Sequence, residues 1–285
     1  MSRKTAWITG AGGFIGSHVA RLAAEFAPDW EAKGLERRHV DLTDFAALRR
    51  RFAEDQPALI VHCAAVSRTP LCQAQPDLAQ RLNVEATRIL ADLAEEIPLI
   101  FLSSDLVFDG KAGNYDELAQ PNPINVYAET KATAEQIVLA NPRHTVIRAS
   151  LNAGVSLTGD RAFNEDMVNS WRAGRTLTLF TDEFRNPIPA ESTARIIWTL
   201  VQANAPGLYH VAGRERLSRW EIGQLLAARW PNLNPRLRPA SLCDYSGPPR
   251  SPDTSLNCGK VQKLLSFPLP EFSEWVKTLN RDASG

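Results

Sequence analysis

The chain has 285 residues, 44% apolar and 22% charged, enough to bury a sizeable core without disulfides or metal, and too apolar for disorder to be its main state. Lysine plus arginine and aspartate plus glutamate both number 32, so no bulk basic field attracts nucleic acid or an anionic membrane. The longest nearly unbroken apolar run, 97–102, is about a third of the roughly 20 residues that span a bilayer.

The first ten residues run into a strand pattern and a glycine turn without the long apolar region of a secretory leader. The four cysteines, Cys63, Cys72, Cys243 and Cys258, are far apart and form no CxxC pair. The expectation is a cytoplasmic protein without a disulfide framework or a structural metal.

Short β-rich runs then alternate with longer helical patterns. Strands are predicted at 6–9, 31–35 and 58–62, and helices at 13–26, 44–54 and 77–96. A strand at 99–102, a polar loop over 103–125, a helix from 126 to about 140 and a strand at 145–147 continue the rhythm. Right-handed crossovers place these strands in one α/β, doubly wound parallel sheet with helices on both faces.

Beyond residue 150 the rhythm loosens. Helices are predicted at 163–173, 192–201 and 220–229, and strands at 177–180 and 207–211. The proline-rich stretch 231–252 reads as irregular, with short helices around Lys260 and Phe272. Residues 1–150 form the expected dinucleotide-binding domain; 151–285 form mainly a smaller C-terminal substrate lobe, with segments returning to the first domain. Trp171, Trp198, Trp220, Trp230 and Trp275 fall in helical patterns and are assigned to packing.

Gly10-Ala11-Gly12-Gly13-Phe14-Ile15-Gly16 follows the first strand and opens the first helix, a context in which backbone N–H groups and the helix dipole face a pyrophosphate. About 20 residues on stands Gly34-Leu35-Glu36-Arg37-Arg38. An acidic residue there binds the ribose hydroxyls of NAD, whereas arginine accommodates the phosphate of NADP. Both types are present, and the adjacent Arg37 and Arg38 tilt the reading to NADP. Asp41 and Leu42 stand where an adenine edge would lie, although Asp41 or Thr43 could instead cap the following helix. Cys63, Ala64 and Ala65 end a strand with small side chains, suited to close approach by a ribose and nicotinamide or to plain core packing. Ser67, just beyond, is a candidate substrate contact.

Tyr127-Ala128-Glu129-Thr130-Lys131 puts a phenol and an ammonium four residues apart on one helix face. Ser103-Ser104-Asp105 adds a hydroxyl at the C-terminal end of the preceding strand, the edge at which doubly wound sheets bind ligands. Reducing a ketone needs a proton donor and a second donor that polarises the carbonyl. Tyr127 supplies the first and Ser104 the second. Lys131 is expected to pull the phenol below its ordinary pKa of about 10 and to hold the nicotinamide ribose.

With these residues in view, the chain resembles the extended short-chain dehydrogenases/reductases, and within them the dTDP-4-dehydrorhamnose reductase-like branch. The resemblance rests on the segments 9–16, 102–110, 127–131, 147–150, 207–213 and 249–256 and covers nearly the whole chain. It implies a Rossmann fold, a catalytic triad at Ser104, Tyr127 and Lys131, and a substrate-contacting Asp105. It also places Arg185 and Arg250 where the second lobe approaches substrate, while Arg148 is read as a structural ion-pair partner. Two positions depart from the branch, Leu106 and Leu151, where the rhamnose-pathway enzymes usually carry aromatic residues. Leu106 also stands where the related dehydratases place a proton-moving Glu, which disfavours dehydration.

The implied function is NAD(P)H-dependent reduction of a keto-sugar, nucleotide-linked, by a possible homodimer. The alternatives are an NAD-dependent nucleotide-sugar epimerase and a non-catalytic NADP-binding regulatory subunit.

Overall fold

The computed structural model describes residues 3–280. The first half alternates strand and helix: β1 (Lys4–Thr9), α1 (Phe14–Phe26), β2 (Trp30–Leu35), α2 (Phe45–Asp55), β3 (Leu59–His62), α3 (Thr69–Ala74), α4 (Pro76–Ala79), α5 (Ala86–Leu93), β4 (Leu99–Ser104), α6 (Val126–Leu139) and β5 (Thr145–Ala149). The second half holds β6 (Asn152–Ala153), α7 (Phe163–Arg172), β7 (Thr176–Phe180), β8 (Phe184–Arg185), β9 (Ile188–Pro189), α8 (Ala190–Gln202), β10 (Gly207–Val211), β11 (Leu217–Ser218), α9 (Arg219–Arg229), β12 (Arg236–Ala240), α10 (Gly259–Gln262) and α11 (Phe272–Thr278).

Six strands form one sheet in the order β10-β5-β4-β3-β1-β2, and every pairing is parallel. Alternation along β1 sends Ala6 and Ile8 to one face and Trp7 to the other. The first face packs on α1 and α8, where Trp198 is fully buried and its indole N–H donates to the Val19 carbonyl at 2.9 Å. The second face packs on α2, α5 and α6 through Leu48, Leu90 and Val138. This is the predicted doubly wound sheet, with β10 and α8 contributed by the second half.

Beneath β4 and β5, Arg148 grips Glu135 of α6 through Nε and Nη2 at 2.7–3.1 Å, and Ser103 donates to the same carboxylate at 2.5 Å. Both charged side chains are buried, so the pair is satisfied on every side, as the structural reading of Arg148 anticipates.

Two segments differ from their sequence reading. The helix predicted at 77–96 carries a π-helical turn at Gln80–Glu85 between α4 and α5, and α3 precedes it. The stretch 231–252 is not wholly irregular: β12 runs parallel to β7, Arg236 beside Thr176 through Ala240 beside Phe180. Pro239 is tolerated there because this two-stranded ribbon needs no donor on its outer edge. The lobe core gathers Trp171, Trp230 and Phe272, with Trp275 packed against it.

Candidate active site

The parallel sheet reverses its winding between β1 and β3, and the C-terminal ends of these strands open the crevice where such folds take their ligands. The chain leaves β1 at Gly10, whose φ is +70°, and a Cβ there would lie 2.7 Å from the Ala64 nitrogen. At Gly16 a Cβ would lie 2.3 Å from the Gly10 carbonyl. Only glycine allows α1 to start this close to β1 and β3. Gly13 caps α1 without a side chain, so the first-turn N–H groups are left bare for an anion.

A cleft of about 1290 Å³ runs from this turn to the C-terminal segment. Gly10, Gly13, Phe14, Ile15 and Gly16 line one end, with Cys63, Ala64, Ala65 and Ser67 on its wall. A bare helix N-terminus, a side-chain-free approach and a long cleft fit a dinucleotide. Burial pushes the Cys63 thiol up to about 12, which keeps it uncharged on the cleft wall.

Where the cleft passes the end of β2, Arg37 is 91% exposed and pairs loosely with Asp41 at 3.5 Å, while Arg38 pairs with Glu36 at 2.9 Å. Asp41 accepts from the N–H and hydroxyl of Thr43, bonds that hold its carboxyl below the ordinary range. Neither residue caps α2; Asp44 does, accepting from the Ala47 N–H at 2.9 Å. Leu42 is buried and lines the cleft.

At the other end, Asn125 caps α6 by accepting from the Ala128 N–H, which aims Tyr127 and Lys131 at the end of β4. Ser104, Tyr127 and Lys131 line the same cleft as the glycine turn. Burial pushes the Tyr127 phenol above its ordinary value, with Ser104 opposing the rise and Asp105 adding to it. The downward pull expected of Lys131 is not what governs Tyr127 here. The Lys131 ammonium donates to the Leu102 carbonyl at 2.6 Å and sits 3.8 Å from the centre of the Phe101 ring. Burial lowers its own pKa to about 7, with Glu135 opposing.

Asp105 is a buried node. It accepts from Ser104 at 3.1 Å, Thr254 at 2.8 Å and Ser150 at 3.3 Å, and Arg185 lies 3.6 Å away. Burial raises its carboxyl above the ordinary value against the pull of Arg185. Arg185 is itself tied to Glu183 at 3.0 Å and to the carbonyls of Phe184 and Ser251. Arg250 holds Glu183 with two bonds of 2.8 Å, its side chain 35% exposed toward the cleft. Burial would raise the Glu183 carboxyl, but Arg250, Arg185 and Arg219 together keep it below its ordinary value.

Sequence reasoning missed Glu183, Arg219 and Asn83. Asn83 sits on the π-helical turn, accepts from the Val66 N–H at 2.8 Å, and donates to the Val66 carbonyl at 3.1 Å and to Thr130 at 3.0 Å. Thr130 in turn donates to the Tyr127 carbonyl, so Asn83 pins the cleft wall to the first turns of α6. A polar residue inside an apolar helical pattern was the available signal. His62 completes the wall from behind. Thr87 donates to the Asn83 carbonyl, so it accepts from His62 Nε2–H, and Nδ1 accepts from Thr9 at 2.7 Å.

A doubly wound sheet, a glycine turn at its switch point, and a serine, tyrosine and lysine facing one cleft define an NAD(P)-dependent oxidoreductase of the extended short-chain dehydrogenase/reductase class, acting on a small molecule. Residues 4–284 match the model of the RmlD substrate binding domain, and the chain belongs to that family. It is 30% identical to methionine adenosyltransferase 2 subunit beta of Xenopus laevis over 275 residues, 92% of this chain and 82% of that protein. It is 26% identical to a dTDP-4-dehydrorhamnose reductase of Sinorhizobium fredii over 287 residues, 95% of each. A dTDP-4-dehydrorhamnose reductase from Bacillus anthracis, solved with NADP, shares the fold at a TM-score of 0.88 and 22% identity, over 96% of this chain and 98% of that one.

Proposed function

We propose that this protein reduces a keto-sugar, carried on a nucleotide, with NAD(P)H. The observation that carries the reading is the convergence of Ser104, Tyr127 and Lys131 on the cleft that begins at the glycine turn. When bound, the nicotinamide supplies the hydride. The residues Gly10, Gly13, Phe14, Ile15 and Gly16 hold the pyrophosphate end, and Cys63, Ala64 and Ala65 flank the nicotinamide ribose.

Ser104 donates to the substrate carbonyl and polarises it, and Tyr127 delivers the proton to the developing alkoxide. A buried phenol with a raised pKa is a reluctant phenolate, so in this environment Tyr127 is held as the acid that reduction requires. Lys131 turns from the Leu102 carbonyl to hold the ribose. Asp105 and Ser67 contact the sugar, and Arg250, clamped on Glu183 with its side chain 35% exposed, takes the diphosphate with Arg219. Arg185, locked between Glu183, Asp105 and two carbonyls, positions Asp105. Leu106 packs with Val66 and Val126 beside Tyr127, so the sugar meets an aliphatic wall there.

The same reading divides the chain near residue 150 into a cofactor domain and a substrate lobe. It takes the protein to be a homodimer in the cytoplasm, where four free cysteines are at home. No described helix is long and apolar enough to cross a membrane.

The test is a fluorescence titration with NADH and NADPH, repeated with a panel of nucleotide-linked keto-sugars while absorbance is followed. Oxidation with one of the panel establishes the reductase. Binding without oxidation turns the reading to an epimerase, if NAD is retained through purification, or to a regulatory subunit, a reading supported by the likeness to methionine adenosyltransferase 2 subunit beta.

A further inference from the structure

The parallel register of β1 and β2 sets Thr9 beside Leu35, so the next residues of each strand, the glycine turn and Glu36, leave the sheet side by side. The Ala11 N–H reaches the Leu35 carbonyl at 3.4 Å. A Cβ placed on Gly12 would lie 3.3 Å from Glu36 Cγ and 3.4 Å from its Oε2. The Glu36 carboxylate therefore lies over the glycine turn itself. Its backbone is fixed as well, because its N–H donates to His39 Nδ1 and its carbonyl accepts from the His39 and Val40 N–H groups.

The two arginines are placed differently. Arg38 is 73% exposed and its near partner is Glu36, which is 34% exposed. Arg37 points away toward Asp41. A carboxylate over the turn accepts the two hydroxyls of an adenosine ribose. A phosphate on the 2′ oxygen would bring about two negative charges against that carboxylate. Arg38 gives Glu36 one nitrogen, so even a phosphate that its other N–H groups reached would lie against the Glu36 carboxylate.

We propose that Glu36 makes this protein select NADH over NADPH, reversing the preference that Arg37 and Arg38 suggest in the sequence. This rests on the reading that the cleft binds a nicotinamide dinucleotide. Arg38 serves as a clamp that orients Glu36, not as a phosphate receptor.

The experiment is direct titration of the full-length protein with NADH and with NADPH, followed by energy transfer from protein tryptophan to the nicotinamide. The wild type is expected to bind NADH at least about tenfold more tightly. Glu36→Gln, isosteric and uncharged, is expected to cut that ratio to near unity by tightening NADPH. Arg38→Ala is expected to leave the wild-type preference for NADH in place. Because the preference is a ratio measured on one sample, a loss of folded fraction cancels. Equal or tighter NADPH binding by the wild type overturns the inference, as does an unchanged ratio in Glu36→Gln. Failure to bind either dinucleotide would instead strike the cofactor reading beneath it.

Discussion

Tyr127 and Lys131 share one face of α6 but address different neighbours: the phenol faces Ser104, whereas Lys131 Nζ donates to the Leu102 carbonyl at 2.6 Å. Their roles are therefore separable by mutation. Tyr127→Phe removes only a hydroxyl, so turnover should fall by about 10²–10⁴-fold with NADH affinity nearly unchanged. Lys131→Met should weaken both. Stopped-flow turnover and a fluorescence titration on the same preparations distinguish the two, and wild-type-like turnover in Tyr127→Phe would remove the proposed proton donor.

The depressed pKa of Lys131, about 7, has a thermodynamic signature. As pH rises the folded chain gives up this proton before the unfolded chain does, whose ordinary value is 10.5. The cost of burying the ammonium is thus borne in full below about pH 7 and relieved between there and 10.5. Ribose hydroxyls accepting from Nζ favour the charged form, so NADH binding at pH 8 should take up a sizeable fraction of a proton. Calorimetry in two buffers of different ionisation enthalpy measures it. Uptake that persists in Lys131→Met would assign the proton elsewhere.

Asn83 ties the cleft wall to α6 through Val66 and Thr130. Asn83→Leu leaves the half-buried Val66 N–H unpaired and its carbonyl with only the Cys72 thiol, and should cost about 1–3 kcal/mol of stability, with NADH affinity falling as the wall loosens. Thermal melts and cofactor titration read the two effects. Full stability in the variant would mean that water or a shifted Val66 replaces the amide.

What the sequence made legible was local. The glycine turn and the pairing of Tyr127 with Lys131 are spacings within seven residues, and the alternation of strand and helix carried the sheet. Asn83, Glu183 and Arg219 act through partners far along the chain: Glu183 meets Arg250 across 67 residues and Asn83 meets Thr130 across 47. No periodicity records such a meeting. β12 was hidden because Pro239 and its proline-rich surroundings mimic a loop, and the partner that makes it a strand, β7, lies some sixty residues earlier. The Lys131 orientation was equally invisible, since the Phe101 ring and Leu102 carbonyl that receive it belong to another strand.

Four histidines, His18, His62, His144 and His210, are buried with their pKa values lowered, and they make acid a denaturant for this fold. His18 is lowered to about 4 by burial and by Arg21, with Glu165 opposing. Its ring packs edge-on against Phe14, and neither nitrogen has a hydrogen-bond partner. His62 is lowered to about 3 by burial and by Lys131, and His210 to about 4 by burial and by Arg148. Below the ordinary value of 6.5 the unfolded chain takes up protons that the folded chain refuses, so stability falls as pH falls through the window from about 6.5 to 4. Each histidine contributes a slope of at most about 1.4 kcal/mol per pH unit within it. Urea midpoints at pH 7.5, 6 and 5 should drop accordingly, and His18→Leu, which fills the same space without a titrating group, should remove about a quarter of the slope. A midpoint that does not move between pH 7.5 and 5 would mean that the four rings protonate in place.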